Sequence, residues 1–459
     1  MSTSSVRRVR HACAGLLLAQ AMMVPQILTV PAAHAADAAQ IRALAMAYDA
    51  SGHDLFMRLA ATPGNIVFSP YSIGTAMAMV LSGARGETAS EMAAVLKQSL
   101  DRGAIDAANA GLLAILNGYD KSGEPVTCPS SMRFNGTDCE AALPANALCR
   151  TGYRDGTRCL APGHRPASAT LKAANALMLL KARGDLVSTQ YAALLAANYR
   201  AQVFRGADLG AINGWVSRQT EGKIEKILDQ IDPETPAVIL NAVYFKAAWQ
   251  APFSRSATSD SDFHLASAQT VTVPTMRRTG HYQMVARPGY RAIRLPYSVD
   301  ALAMVVVVPD AVDGVDKVAR ALDAPALADL LKSMTEWKTV DLALPRFKTG
   351  FKAELGKLFR ESGMRRAFDG TVADFSGMTG RPRSEAAFSI GEVVHRAVID
   401  VTEEGTEAAA ATAVAMMAAS MPSHVESLAV DRPFLFYVID EPSGAILFQG
   451  RISDPRLPS

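Results

Sequence analysis

Two serines and a distant histidine, Ser69, Ser72 and His395, are the residues of this 459-residue chain whose types could assemble a hydrolase. Such chemistry needs a nucleophile, a base beside it and an acid that orients the base. Ser69 is followed by Pro70 at a strand-to-helix junction, and no acid is placed by sequence to orient His395. A histidine satisfied within the core is therefore the expectation. The chain contains no G-x-S-x-G, no H-E-x-x-H and no Walker loop. No enzymatic activity, cofactor or metal is expected.

Cysteine chemistry is the other possibility. Cys13 lies near the N-terminus, whereas Cys128, Cys139, Cys149 and Cys159 cluster within 32 residues. The segments CPSSMRFNGTDC and CRTGYRDGTRC resemble each other, each carrying a Gly-Thr turn between two cysteines. Two local disulfides, Cys128–Cys139 and Cys149–Cys159, are expected, out of the three pairings that four cysteines permit. Zinc is the alternative, but the gaps are wider than the two-to-four-residue knuckles of structural zinc sites. Residues 119–168, rich in turn formers, read as an inserted, stapled excursion.

Disulfides fit an exported protein, and the N-terminus has that character. Arg7, Arg8 and Arg10 precede an apolar stretch that ends at Ala33-His34-Ala35, the pattern of a secretory signal peptide over residues 1–35. A membrane-spanning helix is the alternative, but Pro25 and Pro31 interrupt the run. A periplasmic or extracellular protein without a membrane partner is expected. Loss of residues 1–35 would remove three arginines and no acids from 46 basic and 44 acidic side chains. The near-neutral remainder gives no reason to expect a nucleic-acid partner.

The elements that must position these residues are dense. HDLFMRLAA (53–61), Tyr71–Leu81 and GETASEMAAVL read as helices, and NIVFSP (65–70) as a short strand. LKAANALMLL (171–180) reads as a central strand, and LGAINGWVSRQTEGKIEKIL (209–228) as a helix running into a turn. AVILNAVYFKAAW (237–249) is apolar throughout, as in a strand buried on both faces. Further strands are expected at Ala301–Val308, Thr339–Arg346, Phe388–Val401, Pro433–Ile439 and Ala445–Ile452, the last two joined by the turn DEPSG. Helices dominate the first half and strands the second, an α+β pattern. No linker rich in Pro, Gly or Ser divides the chain, so residues 36–459 are expected to form one domain carrying the excursion.

One segment fits none of this. EEGTEAAAATAVAMMAAS (403–420) should favour helix by propensity, yet it follows a strand and has no charge after Glu407. Together with NIVFSPYSIGTAMAMVLSGARGETASEM, LNAVYFKAAWQAPF, DLALPRFK, VVHRAVIDVTEEGTEAAAATA and VDRPFLFYV, in this order, it resembles the serpins over roughly residues 40–459. The resemblance implies three β-sheets, about nine helices and an exposed reactive-centre loop that baits a target serine protease. It also implies that the cleaved loop enters the central sheet as a new strand, from a kinetically trapped native state.

Several residue roles are implied by the same resemblance. The hinge is Glu403, Glu404, Gly405, Thr406 and Glu407, followed by Ala408, Ala409, Ala410 and Ala411. If Thr406 enters first, one strand face carries Thr406, Ala408, Ala410, Thr412, Val414 and Met416, and the one charge, Glu407, falls on the other face. Inhibitory members keep such small residues. Members that have lost them are the alternative class, carriers or chaperone-like proteins. Loop length places the scissile bond at Ala419–Ser420, with Ala418 or Ser420 as neighbouring choices for the bait. All are small, which suits an elastase-like protease. Ser69, Ser72, Asn241 and His395 match the family's shutter. Trp249, Arg277 and Glu403 match its breach, with an Arg277–Glu403 ion pair. A monomer is expected.

Overall fold

The computed structural model describes residues 36–456, apart from 136–137, 143–147, 150–152, 156, 162–165, 180–185, 207, 231, 233–234 and 407–424. Helices lead. α1 (Ala38–Leu59) opens on a capping box between Asp37 and Gln40 and is much longer than the expected 53–61. After β1 (Ile66–Phe68) come α2 (Pro70–Gly83), α3 (Gly86–Val95) and α4 (Arg102–Gly118). All fourteen residues of α2 are buried. A helix apolar all round belongs inside the molecule, and α2 packs against α1 and against strands of both large sheets.

The excursion follows, with β2 (Arg133–Phe134), β3 (Cys139–Ala142), β4 (Tyr153–Asp155) and β5 (Arg158–Ala161). These form a four-stranded sheet, β2-β3-β5-β4. Both disulfides are present with the expected pairing, Cys128–Cys139 and Cys149–Cys159. The two similar sequence segments are two similar hairpins, joined through β3 and β5, where Cys139 faces Ala161 and Ala141 faces Cys159. The stem is closed by Ala169 N donating to Tyr119 O (2.9 Å) and Lys121 N donating to Ser168 Oγ (2.8 Å).

The chain then runs through β6 (Ala169–Leu179), α5 (Thr189–Tyr199), β7 (Gln202–Arg205), α6 (Leu209–Gln219) and β8 (Ala237–Ala248). Strands take over in β9 (Ser259–His264), β10 (Thr270–Arg287), β11 (Tyr290–Pro296) and β12 (Leu302–Pro309). Next come α7 (Val315–Ala321), α8 (Ala324–Ser333), β13 (Trp337–Pro345), β14 (Phe347–Glu354), α9 (Gly356–Glu361) and α10 (Ser376–Thr379). The last strands are β15 (Glu392–Thr402), β16 (Gly405–Thr406), β17 (Glu426–Ala429), β18 (Phe434–Asp440) and β19 (Ile446–Ile452).

The α+β reading holds, with ten α-helices among the described residues and three sheets. One sheet is the excursion's own. The second has nine strands, β1-β19-β18-β12-β11-β10-β13-β17 with β9 on β10, and the third has six, β14-β15-β16-β8-β6-β7. In the six-stranded sheet β8 pairs antiparallel with β6 from Ala237 to Ala247 and parallel with β15 from Val238 to Tyr244. Above Tyr244 the two strands separate, and the two residues of β16 lie between them.

Candidate functional site

The first cluster lies where α2 meets the six-stranded sheet. Ser69 caps α2 by accepting from the Ser72 amide at 3.0 Å, with Pro70 in the first turn. Asn241 on β8 donates through Nδ2 to Ser72 Oγ (2.6 Å), to Ser72 O (3.0 Å) and to Asn175 Oδ1 on β6 (2.5 Å). Its Oδ1 accepts from His395 Nδ1 on β15, which leaves His395 Nε2 unprotonated. Among the described residues Nε2 has no hydrogen-bond partner. Burial pushes the His395 pKa down to about 3, so the imidazole is neutral near pH 7.

This arrangement does not make a triad. The histidine is oriented by an amide, neither serine hydroxyl bonds it, and all three side chains are sealed from solvent. It does tie three elements together, with Asn241 as the knot between α2, β6 and β15. The structure brings Ser69, Ser72, Asn241 and His395 together and adds Asn175, which the sequence reading did not single out. Its signal was a lone amide in the apolar run LKAANALMLL.

The second cluster lies at the top of the same sheet. Gly405 and Thr406 are buried; Thr406 sits opposite Val401 of β15 and Ala247 of β8. Gly405 has φ +151°, and a Cβ there would collide with the Ala247 carbonyl oxygen. The Thr406 hydroxyl bonds Tyr297 OH at 2.7 Å. Tyr297 in turn stacks on Trp249, with centroids 4.6 Å apart and planes 9° off parallel. Trp249 holds the hinge backbone twice, through Nε1 to Thr402 O (3.0 Å) and N to Glu404 O (2.9 Å). Phe253 N donates to Glu403 O at 2.9 Å.

The expected Arg277–Glu403 pair is absent. Arg277, exposed on β10, donates to Ser261 Oγ at 3.1 Å. Glu403, 4 % exposed, takes Thr258 Oγ1 at 2.7 Å and Arg346 Nε at 3.6 Å. The reason is register: Phe347 lies opposite Val401, so the residue before Phe347 reaches the end of β15 where Glu403 follows. Arg346 lies within DLALPRFK, where nothing in the sequence sets it beside Glu403. Arg255, likewise unsignalled, pairs with Glu404. Glu407, Ala408, Ala409, Ala410, Ala411, Ala419 and Ser420 lie outside the described residues.

Among the described residues no group of His, Cys, Asp and Glu could hold a metal ion, and no helix is long and apolar enough to cross a membrane. The arrangement thus joins α2, β6, β8 and β15 through one buried polar cluster low in the sheet and seats the two residues of β16 between β15 and β8 above it.

Comparison with known proteins gives the same fold. A family model described as Serpin (serine protease inhibitor) matches residues 46–455. An uncharacterized serpin-like protein of Thermococcus kodakarensis is 34% identical over 415 residues, covering 88% of this chain and 84% of that one. The leukocyte elastase inhibitor of Bos taurus is 34% identical over 420 residues, covering 88% of this chain and 97% of that one. Among solved structures, the thermophilic serpin Tengpin in its native state superposes with a TM-score of 0.72 at 24% identity, covering 90% of this chain and 94% of that one.

Proposed function

From a chain that belongs to the serpin family, we propose a suicide-substrate inhibitor of an elastase-like serine protease, which traps the acyl-enzyme by inserting its cleaved loop between β15 and β8. One observation carries the reading: the register of these two strands is the same on both sides of the wedge. Below it Val398 faces Tyr244, and across it Val401 and Ala247 both face Thr406. Entry of more chain thus needs sideways separation of the strands and no slip along them. β16 already occupies the first rung, so insertion extends a ladder that exists.

Continued in the same antiparallel sense, Ala408 comes level with Ile399, Ala410 with Ala397, and Thr412 with His395 and Asn241. Ile399, Ala397 and His395 are all buried, so the face that enters must be small and uncharged. In this chain the positions are alanine, alanine and threonine. Each step exchanges one parallel β15–β8 pairing for two antiparallel ones, the slightly more stable kind. The Asn241–His395 bond must break for Thr412 to pass, which makes this cluster a lock on the sheet. Glu403 and its partners Arg346 and Thr258 brace the entrance. Closure of the sheet below the wedge keeps the uncleaved protein in a trapped state.

The bait is Ala419, cut before Ser420, and its small side chain fits a shallow apolar pocket. Similarity to leukocyte elastase inhibitors supports this target class. The protein acts outside the cytoplasm, in the periplasm or beyond the cell, as a monomer with a disulfide-stapled insertion. The test is to mix it with pancreatic elastase. A complex that survives boiling in detergent supports the reading; loop cleavage without a complex refutes inhibition and favours a carrier role.

A further inference from the structure

The wall of the breach has a second face. Behind residues 249–253 lies a cavity of about 260 Å³, close to the lower end of small-ligand sites, which run from about 300 Å³. Trp249, Phe253, Tyr282 and Trp337 give it aromatic walls, with Arg278 and His281 as its cationic and titratable members. Trp337 is 60% exposed, although it is among the largest apolar side chains of the protein.

Charge identifies the missing group. Two of the neighbouring cations are neutralised: Lys338 pairs with Glu426 at 2.9 Å, and Arg294 pairs with Glu441. Arg278 is not. Its Nη1 donates to Tyr282 OH at 3.2 Å, and its guanidinium carbon lies 6.0 Å from that ring centroid. Among the described residues it has no carboxylate within ion-pair distance. No Asp or Glu among the described residues lines the cavity, and Gln250 of its wall donates to Asp300 at 3.3 Å. A half-buried guanidinium with free donors at the mouth of an aromatic cleft calls for a planar monoanion on an apolar body.

We propose that this cavity is a binding site for an aromatic or apolar monocarboxylate, its carboxylate on Arg278 and its body between Trp337, Tyr282 and Phe253. The site has a consequence that rests on the function proposed above. Trp249 and Phe253 hold the Glu404 and Glu403 carbonyls, so an occupant that braces them slows loop entry and lets more inhibitor be spent as substrate.

The test is calorimetric titration of the full-length protein with 2-naphthylacetate and with its neutral analogue 2-(2-naphthyl)ethanol. One equivalent of the acid is expected to bind, about tenfold or more tightly than the alcohol, because a hydrogen bond to a charged group separates them. Arg278→Gln should weaken the acid by a similar factor and leave the alcohol unchanged. Trp337→Ala, at an exposed position that folding tolerates, should weaken both. Arg277→Gln is the neighbouring control and should change neither. The proposal is overturned by no saturable heat up to the solubility limit, by acid and alcohol binding alike, or by equal losses in Arg277→Gln and Arg278→Gln. Elastase titrations with and without the acid read the coupling separately. An unchanged inhibition stoichiometry would remove the coupling and leave the site, and absence of inhibition without ligand would count against the function alone.

Discussion

Thr406→Arg puts a charge on the rung that leads insertion, and the structure bounds its cost. Thr406 is completely buried, with its hydroxyl on Tyr297 and its backbone in register with Val401 and Ala247. Held in place, an unpaired guanidinium would cost several kcal/mol. The chain can avoid that by expelling β16, giving up roughly three ladder hydrogen bonds and the Thr406–Tyr297 bond at about 1 kcal/mol each. The penalty is therefore about 3–4 kcal/mol, and the cleaved loop must meet it again to re-enter the slot. At 1.36 kcal/mol per decade, entry slows by about a hundredfold or more. The acyl-enzyme then hydrolyses first, and the variant becomes a substrate. The assay is titration of elastase against inhibitor, with the products resolved in denaturing gels. Thr406→Val, which loses only the hydroxyl, should still form complexes. Undiminished complex formation by Thr406→Arg would show that Thr406 does not lead insertion.

Three further expectations follow from the same geometry. His395 has a folded-state pKa of about 3 against about 6.5 unfolded, so its stabilising contribution is present above about pH 6.5 and is lost as pH falls. The unfolding free energy of the native protein relative to His395→Gln should drop by about 1.4 kcal/mol per pH unit between pH 6 and 4. The difference between the two proteins is the quantity to read, because Asp49, pushed up to about 8 by burial, imposes the opposite slope on both. Arg346→Ala should speed spontaneous loss of inhibitory activity on warm storage, whereas Arg277→Ala should leave the half-life unchanged; equal half-lives would separate the Arg346–Glu403 contact from sheet opening. Ala419→Arg should turn inhibition from elastase towards trypsin, with a new N-terminus at Ser420 in the released peptide; one at a different residue would relocate the bait.

The strands β8, β12 and β18 were legible because nearly every residue in them is apolar and buried, and β19 because Ile446, Leu447 and Phe448 open it just after the DEPSG turn. β10 was not, since its eighteen residues mix exposed and buried positions and threonines and arginines dilute the alternation. The excursion showed no periodicity because its strands have two to four residues, too short for a period to register. Its repeated Gly-Thr turns were the signal that two hairpins were present. At the breach the residue types were readable and the partner was not. Arg277 and Arg346 differ only in where β10, β13 and β14 deliver them, and Phe347 opposite Val401 decides it. Asn175 marks the same limit: an amide within an apolar strand announces a polar contact, but only the β6–β8 register, which sets it opposite Asn241, names the partner.

Insertion itself has a direct thermodynamic signature. The loop can be nicked with a protease that does not stay acylated, such as thermolysin, and the thermal unfolding of intact and nicked protein compared. About a dozen new ladder bonds at about 1 kcal/mol each should raise the midpoint by roughly 10–20 °C, while hydrogen exchange slows along Val238–Tyr244 and Glu392–Val398. A midpoint that stays the same or falls after cleavage would mean that the loop does not enter between β15 and β8.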